Sequence, residues 1–413
     1  MIAFKITLKN VSPERLFMGS VLLVNGGNYL YNLVLGRLLG PEVFAEAALL
    51  VTLLLVLSFL GMTFQLATAK FAVLFDETDW KAFEQLMYKY ALGFGMLVGT
   101  LLFAFSESLK DIFQTESALL FKTFATAVPL YFFMSVNRGK YQGNQDYKKL
   151  SISYQTEMWS RLLLTLSLLW FVPFSPSFLV AFGIALSFVF GLIPIEFDLS
   201  TRFKKLPLDA LKKKQVTRFI TLTACYELTQ IIINNSDILL VKHYFDAVDA
   251  GLYASLALIG RVVYFIAWMF VMLLLPAVVQ KQKDGEATAP ILFKYLGYVG
   301  ILSLSIVTVC ALCPELIINL MFGEAYLTIA PLLWQYALAT SLFALANIFT
   351  YYFLSLDEYT PVLVSGFLGV MQILLIVYYH NSLEIILFIQ IAAMTTLLLA
   401  QLFYFSNKQI LAK

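Results

Sequence analysis

NNSDILLVKHYFDAVDAGLYASLALIGRVVYFIAW, from Asn234 to Trp268, reads as the end of one membrane helix, a short turn and the start of a second. It carries more charge than lipid tolerates: Asn234 and Asp237 lie in the first helix, Lys242 and His243 at its end, and Arg261 inside the second. A related stretch, NYLYNLVLGRLLGPEVFAEAALLVTLLLVL, runs from Asn28 to Leu57. Shifted by 206 positions (234 − 28), Asn28 falls on Asn234, Arg37 on His243, Pro41 on Ala247, Ala45 on Gly251 and Ala48 on Ala254. Both stretches end a span on a basic residue, turn through an acid and small residues, and enter a second span.

The chain of 413 residues is 60% hydrophobic and 13% charged, with mean hydropathy +0.82. Soluble domains carry about 25% charge, so the class is an all-α integral membrane protein. Backbone groups in lipid must pair internally, which makes apolar runs of this length helices; the alternation of a β-barrel is absent. Twelve runs qualify, roughly 16–35, 44–71, 86–105, 119–136, 152–172, 178–195, 219–241, 252–278, 291–312, 327–354, 361–379 and 383–405. The N-terminal MIAFKITLKN lacks the apolar core and cleavage site of a signal peptide, so the first run is expected to stay as a helix.

Lys and Arg set the orientation. They gather before the first span (Lys5, Lys9, Arg15) and around the even-numbered loops, notably Arg138, Lys140, Lys148 and Lys149, and Arg202 to Arg218. The opposite side holds Arg37, Lys110, Lys122 and Lys242. Both termini are therefore expected in the cytoplasm. The basic loop divides the chain into an N-terminal lobe 1–200 with spans one to six, a cytoplasmic linker 201–217, and a C-terminal lobe 218–413 with spans seven to twelve. Six spans is an even number, so both halves enter from the same side and form a parallel repeat.

A net charge of +2 gives no footing for a nucleic-acid partner. Cys310 and Cys313 make a lone CxxC without the second pair a zinc site needs, and read with Cys225 as packing residues. The loop NRGKYQGNQDYKKL, Asn137 to Leu150, suits a turn and lacks the P-loop pattern; no span carries HExxH or GxSxG. Gly95 and Gly99 form a GxxxG packing signal.

Thr223, Glu227, Gln230, Asn234 and Asp237 are spaced four, three, four and three, which puts them on one face of span seven. Ionisable groups at membrane depth cost at least about 2.5 kcal/mol each. Such a stripe either faces a cavity and a cation or hydrogen-bonds to neighbouring helices. Asn25, Asn28 and Asn32 repeat it more weakly in span one. Arg261 lies well inside span eight, with Tyr264 and Trp268 on its face. It suits a bidentate phosphate contact or an ion pair with Glu227 or Asp237. Lys70 and Arg161 either snorkel to the cytoplasmic interface or line a cationic vestibule; Arg37, Lys242 and His243 suit interfacial anchoring at the outer ends.

NLVLGRLLGPEVFAEAALL, RGKYQGNQDY with SISYQTEMWSRL, and SDILLVKHYFDAVDAGLYASLALIGR resemble the opening, fourth-loop and second-lobe segments of polysaccharide flippases. That family shares a superfamily with multidrug/toxic-compound extruders and the lipid II flippase. The chain departs from its pattern at Ala45, where a glycine is usual, and in having no spans beyond twelve. The resemblance implies two six-helix lobes in a V around a central cavity, alternating access, and an oligosaccharide on a polyprenyl diphosphate moved to the outer leaflet of the cytoplasmic membrane. It implies a cationic substrate site with Arg261 as the first candidate and Arg161, Lys70 and Arg37 behind it; Asn28, Asn32 and Tyr264, placed by helical spacing, are read as substrate-binding beside them. It implies cation or proton coupling at Asp237, with Glu227 and Asn234 in support and Na+ at Asp237 as the candidate metal; Thr395 and Thr396 are candidate partners. No resident cofactor is expected beyond Na+ or H+ as coupling ion. Expected partners are the lipid-linked glycan, membrane lipids and the polysaccharide polymerase with its assembly machinery. Two other classes compete: a drug/cation antiporter of the same superfamily, and a membrane-embedded polymerase or ligase, which the short outer loops disfavour.

Overall fold

A computed structural model of the chain describes residues 13–194, 208–356 and 358–411. Among the described residues the regular structure is helical: α1 (Pro13–Leu74), α2 (Glu77–Ala104), α3 (Ser106–Ile112), α4 (Leu119–Gly143), α5 (Tyr147–Phe171), α6 (Pro176–Gly191), α7 (Ala210–Tyr244), α8 (Ala247–Lys283), α9 (Ala289–Leu312), α10 (Pro314–Met321), α11 (Leu333–Ser355), α12 (Thr360–Tyr378) and α13 (Leu383–Leu411). A 3-10 segment, Glu324–Leu332, precedes α11.

α1 holds two of the expected spans. Its 62 residues break at Gly40, whose φ of 71° and ψ of 168° leave the helical region. Glycine reaches that φ without a Cβ clash, and Pro41 behind it has no N–H to carry the ladder across. The expected loop between spans one and two is thus a one-residue break. Counting α1 as two segments, and setting aside the short α3 and α10, twelve long helical segments occupy the twelve expected runs.

Seven of the described helices are long and apolar enough to cross a membrane. α6 is shorter, at 16 residues, and α5 and α7 carry buried charged side chains.

The loop reading of Asn137–Leu150 is corrected. Asn137 to Gly143 continues α4, and the turn is confined to residues 144–146 before Asp146 caps α5 through the Lys149 amide at 3.2 Å. The helix persists because it is packed: a Cβ on Gly139 would sit 2.5 Å from the Gln65 carbonyl oxygen of α1. Only glycine allows that approach, and the close packing holds the segment helical despite its turn-like composition.

The residues gather into two compact units. The first comprises Met1–Asn32 and Leu53–Glu227; the second comprises Leu33–Thr52 and Leu228–Lys413. In the first, α4 packs against α2 and α6, and α5 against α6. Gly95 and Gly99 of α2 lie against Pro129 and Ala125 of α4, as the GxxxG spacing predicts.

In the second unit α11 packs against α8, α9 and α13. Ile233, Phe343, Ala346, Ala393, Met394 and Leu397 form a core cluster there. The bend of α1 belongs to this unit. Phe44 meets Phe322 and Tyr326, with ring centroids 5.9 and 6.3 Å away, and the Tyr326 hydroxyl donates to the Gly36 carbonyl at 2.8 Å.

Candidate functional site

Two polar sites stand out, one in each unit. The first is built on α5. Glu157 and Arg161 are one turn apart, so both point the same way. The Glu157 carboxylate accepts from Arg161 Nη1 at 2.9 Å through one oxygen, and from Arg138 Nη2 of α4 at 2.7 Å through the other. Arg161 Nη2 donates to Asn28 Oδ1 of α1 at 2.5 Å, and its guanidinium lies 5.7 Å from the Tyr31 ring. Arg138 also donates to the Ser153 hydroxyl and carbonyl at 2.9 and 3.1 Å, and stacks 4.0 Å over Tyr154. The side chains of all three charged residues are at most 9% exposed. A buried charge at this depth must be paired or otherwise satisfied.

The structure thus brings together two of the expected substrate residues, Asn28 and Arg161. The snorkelling alternative for Arg161 is corrected: the side chain turns inward to a carboxylate instead of out to an interface. Asn32 stays with its own helix, donating to the Asn28 carbonyl at 2.9 Å. Lys70 is exposed and sits 4.0 Å over the Phe219 ring of α7. Arg37 belongs to the second unit, where Nη1 donates to the Leu320 carbonyl at 3.0 Å. The side chains of Arg261, Tyr264 and Trp268 lie outside the described residues. Arg138 and Glu157 were missed: Arg138 was assigned to a loop, and the i, i+4 pair of Glu157 and Arg161 was the available signal.

The second site surrounds Asp237 in α7, which is 1% exposed. Its Oδ2 accepts from the hydroxyls of Tyr253 in α8, at 3.1 Å, and Tyr336 in α11, at 2.9 Å. A cavity of about 30 Å³ opens beside it, lined by Asn234, Asp237, Tyr336, Thr340, Gln372 and Gln390 among others. That volume admits a water molecule or a small cation. The Thr340 hydroxyl is 3.0 Å from the Gly260 carbonyl oxygen and donates there, which leaves its lone pairs for an acceptor role. Gln372 is fully buried, and neither atom of its amide has a hydrogen-bond partner among the described residues. The lining thus supplies a carboxylate, side-chain amides and hydroxyls, the oxygen ligands that hard cations take.

Asp237 and Asn234 line this cavity together, as the spacing on α7 predicts. Glu227 is buried on the same helix and is not among the cavity's lining residues. Thr395 and Thr396 are not among the cavity's lining residues; each donates to its own helix, to the carbonyls of Ile391 and Ala392, and α13 contributes Gln390 and Met394 to the lining. Tyr253, Tyr336, Gln372 and Gln390 were not foreseen. Lys242, expected as an interfacial anchor, is 2% exposed and lies within the electrostatic reach of the buried Glu46.

Outside the spans, Lys212 at the start of α7 bonds Asp79 at the start of α2. That hydrogen bond and the Asp79 charge raise the ammonium above its ordinary range. Asp76 caps α2, and the hydrogen bond from the Asp79 amide pulls its carboxyl below the usual value. None of Cys225, Cys310 and Cys313 is in a disulfide, and no metal-binding cluster of His, Cys, Asp or Glu occurs among the described residues.

A family model described as "Polysaccharide biosynthesis protein" matches residues 34–331. No curated protein sequence matches. Among solved structures, an inward-facing multidrug resistance MATE family transporter of the MOP superfamily superposes with a TM-score of 0.75 at 14% identity, covering 92% of this chain and 95% of that one. The lipid II flippase MurJ in an inward closed conformation gives 0.74 at 12% identity, covering 95% and 87%. A MOP superfamily transporter from Pyrococcus furiosus, described as having a binding pocket of reverse polarity, gives 0.59 at 13% identity over 97% and 94%. These likenesses are of fold: the two-lobe helical architecture of a multi-pass membrane transporter.

Proposed function

The chain belongs to the polysaccharide biosynthesis protein family, and from that premise we propose that it is a flippase. It carries an oligosaccharide on a polyprenyl diphosphate from the inner to the outer leaflet of the cytoplasmic membrane, by alternating access and with both termini in the cytoplasm. The observation that carries this reading is a conjunction. A polysaccharide-synthesis family is joined to a transporter fold, and that fold holds a buried arginine, Arg161, on an asparagine, Asn28. Arginine is the side chain suited to a diphosphate, because its planar fork meets two oxygens at once.

Arg161 and Asn28 form the substrate seat in this account. Arg261, Lys70, Arg37, Asn32 and Tyr264 contribute along the path. Asp237, with Asn234 and Glu227 on the same helix, couples transport to Na+ or H+. The cavity beside Asp237 supports that role through its size and its oxygen donors. The lipid-linked glycan and membrane lipids are the partners, followed by the polysaccharide polymerase and its assembly machinery.

The test is made in cells. Depleting the protein should cause lipid-linked oligosaccharide to accumulate while surface polysaccharide falls, and the wild-type gene should reverse both. Normal surface polysaccharide without the protein would exclude the reading.

A drug/cation antiporter is the second reading, favoured by the likeness to a multidrug transporter and by the buried Asp237. Sensitivity of a depleted strain to cationic drugs, with polysaccharide unaltered, would select it. A polymerase or ligase would instead reveal itself by joining glycans when purified.

A further inference from the structure

The buried cluster of the first unit has two cations and one anion: Arg138 and Arg161 share the carboxylate of Glu157. Its formal charge is +1, in helices that the twelve-span reading places in the membrane. The two arginines are not held alike. Arg138 makes three hydrogen bonds to α5 and stacks on Tyr154; its Ser153 partner is tied in turn to the Gly191 carbonyl of α6. Arg161 is held by single hydrogen bonds from two different nitrogens, one to Glu157 and one to Asn28. Arg138 therefore fixes Glu157, and Glu157 holds Arg161.

We propose that Glu157 is an internal counter-ion which competes with the substrate diphosphate for the side of Arg161 that it holds. The proposal rests on the flippase reading. A carboxylate oxygen meets Arg161 through one nitrogen, whereas a phosphate offers two oxygens to the same fork, so the substrate can displace it. When the substrate leaves, Glu157 recaptures the guanidinium, and Arg161 is never left as an unpaired charge in a dry site. The excess positive charge of the cluster favours entry of a polyanion, and the resident carboxylate keeps binding weak enough for release. Glu157 is thus a positioning residue for the substrate site, with Arg138 as its anchor.

Removing the competitor should tighten binding and slow release. The probe is farnesyl diphosphate, a prenyl diphosphate without sugar, titrated into the purified full-length protein. The expected result for Glu157→Gln is binding about tenfold tighter than wild type, the equivalent of one removed charge contact, while flipping shows a lower KM and a lower kcat. A merely structural carboxylate would not split the two constants in that way. Glu157→Asp, which keeps the charge and draws it back from Arg161, should fall between wild type and Gln, and serves if the Gln variant fails to fold.

Wild-type or weaker affinity in variants with an unchanged melting temperature overturns the role of Glu157 and leaves the flippase reading standing. A wild-type protein that binds no prenyl diphosphate overturns both.

Discussion

The hydroxyl of Tyr336 donates to Oδ2 of Asp237 at 2.9 Å, joining α11 to α7 across 99 residues of sequence. Ten residues before Tyr336, in the 3-10 segment, Tyr326 donates to the Gly36 carbonyl in the first half of α1, ahead of its break. One short segment thus connects the candidate cation seat with the bend of α1, both inside the second unit. Several outcomes are expected from this arrangement and from the cluster around Arg161.

Asp237→Asn keeps the shape of the side chain and an oxygen for Tyr253 and Tyr336 but removes the charge. The variant is expected to fold and to lose the response of transport to an imposed Na+ or proton gradient. Transport in vesicles, with and without each gradient, checks it; a response equal to wild type counts against coupling at Asp237.

Tyr326→Phe deletes one hydrogen bond and leaves the aromatic packing on Phe44 intact. The cost should be about 1 kcal/mol. Gly251→Ala is expected to cost more, about 1–3 kcal/mol, because its Cβ would overlap the Pro41 carbonyl oxygen. Denaturation of both variants tests the ranking, which reverses if the bend of α1 is only loosely held.

Asp76 caps α2 with its pKa held down by the Asp79 amide. A depressed carboxyl contributes stability that is complete above its unfolded value and is lost as pH falls through the folded one. Hydrogen exchange of the amides at the start of α2 should therefore be slow at neutral pH and accelerate below the ordinary carboxylate range, after correction for intrinsic rates. Asp76→Ala should remove that pH dependence.

Much of the fold was legible because membrane spans announce themselves by length and apolarity. The polar stripe of α7 was legible for a related reason: Asn234 and Asp237 are costly in lipid, and their spacing on one helix fixes their face. The partners were not. Tyr336, Gln372 and Gln390 are unremarkable in apolar helices, and only tertiary packing brings them to Asp237. Arg138 was hidden by the glycines of RGKYQG, whose composition indicates a turn while their lack of Cβ lets α4 continue against α1. Nor does hydropathy show that Leu33–Thr52 packs with the second unit; aromatic contacts from Phe44 decide that.

The most direct measurement of the central claim is movement of a polyprenyl-diphosphate oligosaccharide across vesicles containing only this protein, read by exposure of the glycan to a membrane-impermeant glycosidase. The account predicts time-dependent exposure with wild-type protein and at least about a tenfold loss with Arg161→Ala, as expected for one removed phosphate contact. Glycan that stays protected with correctly folded wild-type protein, or moves equally well without Arg161, would contradict it.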